Sequence, residues 1–224
     1  MNPLLRHSEA HVFVQALPGG GLSHEDEHHL DRVLRLEPND VITVCDGAGR
    51  WATANWSRLR GLTIISQIFD EPARNPLTVA CAIPKGDRPE LIVQKLTELG
   101  IDRILFFETA RSVVRWDDEK RQRGLERLRR IAHEAAMQSR RLHLPRVDVV
   151  AFDRVIQLNG VAMAEPGGRD VLDQSVTTVL IGPEGGFDRD ELDYAVPKID
   201  LSPHVLRVET AAIVAAARLA DAHG

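Results

Sequence analysis

Only two cysteines occur in the 224 residues, Cys45 and Cys81, far apart and each inside an apolar, strand-like run. That placement favours two buried free thiols over a disulfide or a metal pair, and it fits a reducing, cytoplasmic compartment. No apolar run reaches the roughly 20 residues that span a bilayer, so no membrane partner is expected. The opening MNPLLRHSEAH has neither the apolar stretch nor the cleavage site of a secretory signal. Basic charge is not in excess either: 28 Lys and Arg stand against 33 Asp and Glu, a net charge of −5, which argues against indiscriminate coating of nucleic acid. Phosphate-binding fingerprints are missing. No G-x-x-x-x-G-K-[ST] occurs and no G-x-G-x-x-G follows a strand-like run, which disfavours ATP and NAD.

What is present is the composition of a globular protein, 43% hydrophobic and 27% charged, with length enough for two modest domains. Residues 1–72 read mostly as β. Strands are predicted at 11–16, 41–45, 51–56 and 62–69, with one helix opened by Ser23, carrying Leu30, Val33 and Leu34 inward and ended by Pro38. That pattern suggests a small barrel. His24, His28 and His29 share the helix but lack a carboxylate or cysteine at ligand spacing, so they read as surface histidines and no metal is expected. Residues 71–77, with two prolines and no periodicity, read as a linker.

From residue 77 strands alternate with helices, the pattern of an α/β domain with a largely parallel sheet over 73–224. Strands are expected at 77–83, 104–107, 147–152, 160–164 and 176–181, with a short sixth ending at 205–206. A helix over 88–99 should bury Leu91, Ile92, Lys95, Leu96 and Leu99 and stop at Gly100, and a long one over 119–141 should bury Leu125, Leu128, Ile131, Ala132 and Ala135. Residues 111–146 carry eleven Lys and Arg against five acids, a local excess of six that fits a phosphate-rich partner as well as a solvated helix face. An alanine-rich helix over 209–222 closes the chain.

Three segments resemble one another: AEPGG (164–168), IGPEGGF (181–187) and LSPHVLR (201–207). Each puts proline and small residues where an apolar run ends. At Gly182, Gly185 and Gly186 the lack of a side chain lets main-chain groups approach a ligand, and Asp188 with Glu191 forms a capping-box pattern that starts a helix. Loops at the carboxyl ends of neighbouring parallel strands converge on one crevice, so the three can form one pocket.

KGDRPELIVQKLTELG (85–100), ARSVVR (110–115), HEAAMQSRRLHLP (133–145), LIGPEGGF (180–187) and LRVETAA (206–212) together resemble the ribosomal RNA small-subunit methyltransferase E family. Those enzymes belong to the SPOUT superfamily and methylate N3 of a uridine in 16S rRNA with S-adenosylmethionine. The resemblance implies a PUA-like β-barrel RNA-binding domain over 1–72, then an α/β SPOUT domain with a deep C-terminal trefoil knot over 73–224. It also implies a homodimer whose substrate is 16S rRNA within an assembled small ribosomal subunit. The three loops would hold the cofactor through Ala164, Glu165, Pro166, Ile181, Gly182, Pro183, Glu184, Gly185, Gly186, Leu201, Ser202, Val205, Leu206, Arg207, Thr210 and Ala211. The family often has glycine where this chain has Ser202.

The uracil N3 proton is weakly acidic, so methylation there needs a proton acceptor or a group that stabilises the anion. The resemblance assigns this work to Arg207, Glu209 and Arg111. Glu184 and Glu209 are candidate bases; equally, Glu209 can cap the last helix and Glu184 can orient Arg207. RNA-facing positions implied by the same match are Arg6, His7, Arg32, Arg35, Lys85, Arg111, Arg115, Gln138 and Arg141. Two alternatives stay open: a SPOUT enzyme acting on another RNA such as tRNA, and a non-catalytic RNA-binding assembly factor.

Overall fold

The computed structural model describes residues 2–28, 30, 36–37 and 40–224. It separates into two compact units, 1–74 with 136–144, and 75–135 with 145–224. The excursion 136–144 is the departure from a simple division at residue 72.

The first unit comprises α1 (Pro3–His7), β1 (His11–Phe13), α2 (His24–His28), β2 (Val41–Cys45), β3 (Arg50–Ser57), β4 (Gly61–Ile64) and β5 (Phe69–Asp70). Its sheet runs β1-β2-β3-β4, with β5 also on β3. The β1–β2 pair is parallel and the remaining pairs are antiparallel. Period-2 alternation gives the sheet two apolar faces. Val12, Ile42, Val44, Ala52 and Ala54 pack on Leu30, whereas Phe13, Cys45 and Trp51 pack on Ala136, which is why 136–144 groups with this unit.

The expected strand over 62–69 is two strands, because β4 pairs with the end of β3 and β5 with its beginning. Helix α2 starts as expected, with Ser23 Oγ accepting from Asp26 N at 3.0 Å. Residues 29, 31–35 and 38 of the expected helix, Val33, Leu34 and Pro38 among them, lie outside the described residues.

His11 is buried within this unit, Nε2 lying 2.9 Å from the Arg141 carbonyl and Nδ1 2.9 Å from Thr43 Oγ1. A carbonyl only accepts, so Nε2 carries the proton and Nδ1 accepts. Burial pushes the His11 pKa down to about 4, only partly opposed by the Arg141 carbonyl.

The second unit contains β6 (Thr78–Ala82), α3 (Arg88–Glu98), β7 (Arg103–Phe107), most of α4 (Asp118–Gln138), β8 (Arg146–Val149), α5 (Phe152–Val155), β9 (Val161–Ala164), β10 (Thr178–Ile181), α6 (Arg189–Leu192), β11 (Lys198–Ile199) and α7 (Val208–His223). Six strands form one sheet in the order β11-β9-β10-β6-β7-β8, every adjacent pair parallel. A parallel sheet needs both faces covered, which accounts for its near-continuous apolar strands. Val79, Cys81, Ile104, Phe106, Val179 and Ile181 face a core shared with α3, α4 and α7. Ala80, Leu105, Phe107, Met163 and Leu180 face the other, with Val155 and Phe187.

Two sequence expectations need correction here. In α3 the buried stripe is Ile92, Val93, Leu96 and Thr97, while Leu91 is 41% exposed and Lys95 pairs outward with Glu98. The stripe includes the i,i+4 pair Val93 and Thr97, whose threonine hydroxyl is satisfied by the Val93 carbonyl at 2.7 Å. The sixth strand is Lys198–Ile199 rather than the segment ending at 205–206, where Val205 is 84% exposed. A two-residue edge strand carries too little alternation to register in sequence.

Candidate active site

Strand register determines where the three loops meet. Ala164 of β9 pairs with Ile181 of β10 on one side and with Ile199 of β11 on the other. Because the strands are parallel and adjacent, all three loops leave the sheet at one level and on one edge. They enclose a cavity of about 270 Å³, lined by 164–166, 181–187, Asp200, Leu201, Ser202, His204, Val205 and Leu206, with Val208 and Ala211 from α7. That is near the lower end of small-molecule pockets, roughly 300–1,000 Å³. The alanine face of α7 (Ala211, Ala212, Ala215, Ala216) lets this helix approach β6 and β10 closely.

The glycine loop is braced from outside the cavity. Asp188 Oδ1 accepts from Glu191 N at 2.8 Å while Glu191 Oε2 accepts from Asp188 N at 2.9 Å, a complete capping box at the start of α6. The other oxygen of this buried carboxylate accepts from Ala110 N at 2.9 Å. Next to Ala110, the Arg111 guanidinium donates to the Gly185 and Phe187 carbonyls at 3.0 and 3.1 Å. On the other side, Arg88 at the start of α3 donates to Glu184 Oε1 at 2.9 Å and lies 3.7 Å from Glu209 Oε1. Glu209 Oε2 is buried and has no hydrogen-bond partner among the described residues.

The loops are also tied together. Asp200 accepts from Gly167 N and Ser202 N, both at 3.1 Å, joining the loop after β9 to the loop after β11. The charged wall residues are Glu165, Glu184 and Asp200, and no lysine or arginine among the described residues lines the cavity. Burial raises the Glu165 pKa, with Lys198 opposing. An anionic wall repels phosphate and favours a cationic ligand. S-adenosylmethionine, with its sulfonium and ammonium groups, suits these residues, and Ile181, Leu201, Leu206 and Val208 give the cavity apolar walls as well.

A family model described as an RNA methyltransferase domain matches residues 71–220. The ribosomal RNA small subunit methyltransferase E of Mycobacterium bovis is 32% identical over 231 residues, spanning 91% of this chain and 88% of that protein. The chain belongs to the ribosomal RNA small subunit methyltransferase E family. The Bacillus subtilis member is 30% identical over 235 residues, covering 90% of each. Among solved structures, the Neisseria gonorrhoeae family member bound to S-adenosyl methionine superimposes with a TM-score of 0.78 at 26% identity, covering 93% of this chain and 95% of that one.

Against the positions that the family resemblance implied, the cavity walls include Ala164, Glu165, Pro166, Ile181, Gly182, Pro183, Glu184, Gly185, Gly186, Leu201, Ser202, Val205, Leu206 and Ala211. Arg207 and Thr210 are not among the lining residues; Arg207 is exposed at the N-cap of α7, its carbonyl accepting from Ala211 N at 2.8 Å. Glu184, which could serve as a base or orient Arg207, is held by Arg88 at 2.9 Å. Sequence reasoning missed Arg88, although it stands in the KGDRPE stretch; its role depends on a contact 96 residues away. It also missed Asp200 and Val208 as wall residues.

The RNA-facing positions divide between the units. Arg6 and His7 are exposed on α1, and exposed Gln138 and half-buried Arg141 group with them in the first unit. Lys85, Arg111 and Arg115 are in the second, where Arg115 is 67% exposed and 3.7 Å from Glu108. Arg32 and Arg35 lie outside the described residues. No group of three or more His, Cys, Asp or Glu is placed to hold a metal among the described residues, and no helix there is long and apolar enough to cross a membrane.

Proposed function

We propose that this protein transfers the methyl group of S-adenosylmethionine to N3 of a uridine in 16S rRNA, acting in the cytoplasm on the assembled small ribosomal subunit. The observation that carries this reading is the anionic cavity at the carboxyl ends of β9, β10 and β11, in a chain belonging to the family. The cofactor supplies a methyl group already activated by its positive sulfur. The chain's own work is to hold it, orient uracil in line and manage one proton. The main chain of 164–166, 181–186 and 201–206 does the holding, with Arg111 and Glu191 fixing the shape of the glycine loop.

Of the two candidate bases, Glu184 is held by Arg88 at 2.9 Å, whereas Glu209, with Oε1 3.7 Å from Arg88, keeps its buried Oε2 without a hydrogen-bond partner among the described residues. That favours Glu209 as the group that takes or stabilises the proton, with Arg207 beside it available to an RNA phosphate or a uracil anion.

The same reading makes residues 1–74 with 136–144 a PUA-like RNA-binding barrel and the second unit a SPOUT domain with a C-terminal knot. Support for the knot comes from strand order: β10 lies between β9 and β6, β11 lies at the edge beyond β9, and α7 returns to pack on β6 and β10. The working form is a homodimer, measurable by sedimentation. The deciding experiment compares methyl transfer to small-subunit particles, free 16S rRNA and tRNA, with mass spectrometry of the product. N3-methyluridine in 16S rRNA is expected, with particles the best substrate; transfer to tRNA alone would refute the substrate, and no binding of S-adenosylmethionine would refute catalysis.

A further inference from the structure

A second concavity, of about 560 Å³, lies between α3 and α4. Its walls are Lys85 and Gly86 after β6, Pro89 and Glu90 on α3, Val114 and Trp116, and a face of α4 carrying Lys120, Arg123, Gly124 and Arg127. Spacing of three and four residues puts these α4 cations in one row, spanning about 10 Å from 120 to 127. Four cations face one acid, Glu90, which is already held by Arg127 at 2.8 Å. Lys85 and Lys120 make no side-chain ion pair among the described residues. Arg123 reaches Glu119 at 3.4 Å, with both side chains more than 70% exposed, a weak helix-surface contact that a phosphate can displace.

The groove is also built around its aromatic wall. A Cβ at Gly124 would lie 2.7 Å from Trp116 Cζ3 and 2.8 Å from Cη2, so the indole rests directly on the helix backbone. Glycine stands in mid-helix despite its poor propensity because this contact requires it. The Trp116 amide donates to Glu108 Oε1 at 2.9 Å, fixing the segment that carries the ring. A row of cations beside an aromatic wall is the arrangement that tracks a single nucleic-acid strand, phosphates on the cations and a base against the ring.

The groove adjoins the cofactor cavity. Pro89 and Glu90 line the groove, while the preceding Arg88 grips Glu184 on the cavity wall. Lys85 and Arg88 are three residues apart, so their Cα atoms are separated by at most about 11 Å. We propose that this groove takes a single-stranded segment of the substrate RNA beside the target base, with its phosphates on Lys85, Lys120 and Arg123 and Trp116 as a stacking wall. The assignment rests on the rRNA methyltransferase reading.

The test uses the full chain carrying Lys85→Met, Lys120→Met and Arg123→Met together, alongside a charge-preserving triple, Lys85→Arg, Lys120→Arg and Arg123→Lys. Binding of a fluorescein-labelled single-stranded rRNA fragment is followed by anisotropy across a salt series, and RNA KM and S-adenosylmethionine affinity are measured in parallel. Loss of three phosphate contacts should make the log–log salt slope shallower by about 2 and weaken RNA binding on the order of ten- to fifty-fold at 0.15 M salt. Cofactor affinity should be unchanged, and the charge-preserving triple should behave like the wild type. An unaltered slope and RNA KM in the methionine triple overturn the proposal, as does a defect confined to an acidic peptide probe. Failure of the wild type to methylate rRNA would instead overturn the functional reading, and the anisotropy series still reads the groove.

Discussion

Replacing Gly185 by alanine separates the needs of the fold from those of the cofactor. A Cβ built there meets only the aliphatic part of Arg111, at 3.7 Å to Cβ and 3.8 Å to Cδ, which is ordinary contact. Gly185 also lies outside the left-handed region, whereas Gly186 sits at φ +70°. The substitution therefore removes freedom from the unfolded chain without straining the folded one, and should stabilise the apo protein by about 0.4–1 kcal/mol. For a protein of this length that raises the melting temperature by roughly 1–4 °C. If the adenosyl group lies against the Gly185 backbone, the same methyl overpacks the bound state by about 1–3 kcal/mol, a loss of roughly five- to 150-fold in affinity. Thermal unfolding of the apo protein and calorimetric titration with S-adenosylmethionine measure the two effects independently. A raised melting temperature with cofactor affinity within about twofold of wild type would refute close approach at Gly185. Gly182→Ala is the contrast: its Cβ comes within 3.0 Å of the Phe187 ring, so it should lower the melting temperature.

Arg88→Met removes the partner of Glu184 and Glu209; with these side chains partly exposed, the stability loss should stay below about 1 kcal/mol while S-adenosylmethionine affinity falls roughly two- to tenfold by calorimetry. Unchanged affinity would show that the glycine loop does not depend on this clamp. His11 is held neutral in the fold with a pKa near 4, against 6.5 when unfolded. Its contribution is therefore full above pH 6.5 and is lost as pH falls toward 4, because the unfolded chain takes up the proton first. Urea unfolding should show up to about 3 kcal/mol less stability at the acid end, and His11→Gln should flatten that part of the profile. Burial raises the Cys45 thiol to about 11 and pushes Cys81 higher still. Neither should react with a thiol reagent in the native protein at neutral pH, and both should react after denaturation; rapid native labelling of either would contradict the burial.

Much of this protein can be read from local chemistry. The strand 41–45 is observed at its expected bounds, and the helix start at Asp188 appears with both halves of its capping box. The buried thiols and the three proline- and glycine-containing loops could likewise be found in sequence, because each depends on residues close together in the chain. Periodicity was misleading where the signal was short or tertiary packing rotated a face, as in the two-residue strand Lys198–Ile199 and in exposed Leu91.

That the three loops can share one cavity was legible in sequence, but only tertiary structure decided the register that brings them level, Ala164 against Ile181 and Ile199. It also decided that Arg88 holds Glu184, that Arg111 braces the glycine loop, and that Trp116 rests on Gly124 beside a row of cations. Each is a contact between residues distant or unpatterned in sequence. Hydrophobic spacing and turn chemistry specify which elements form, but strand order and register decide which side chains meet.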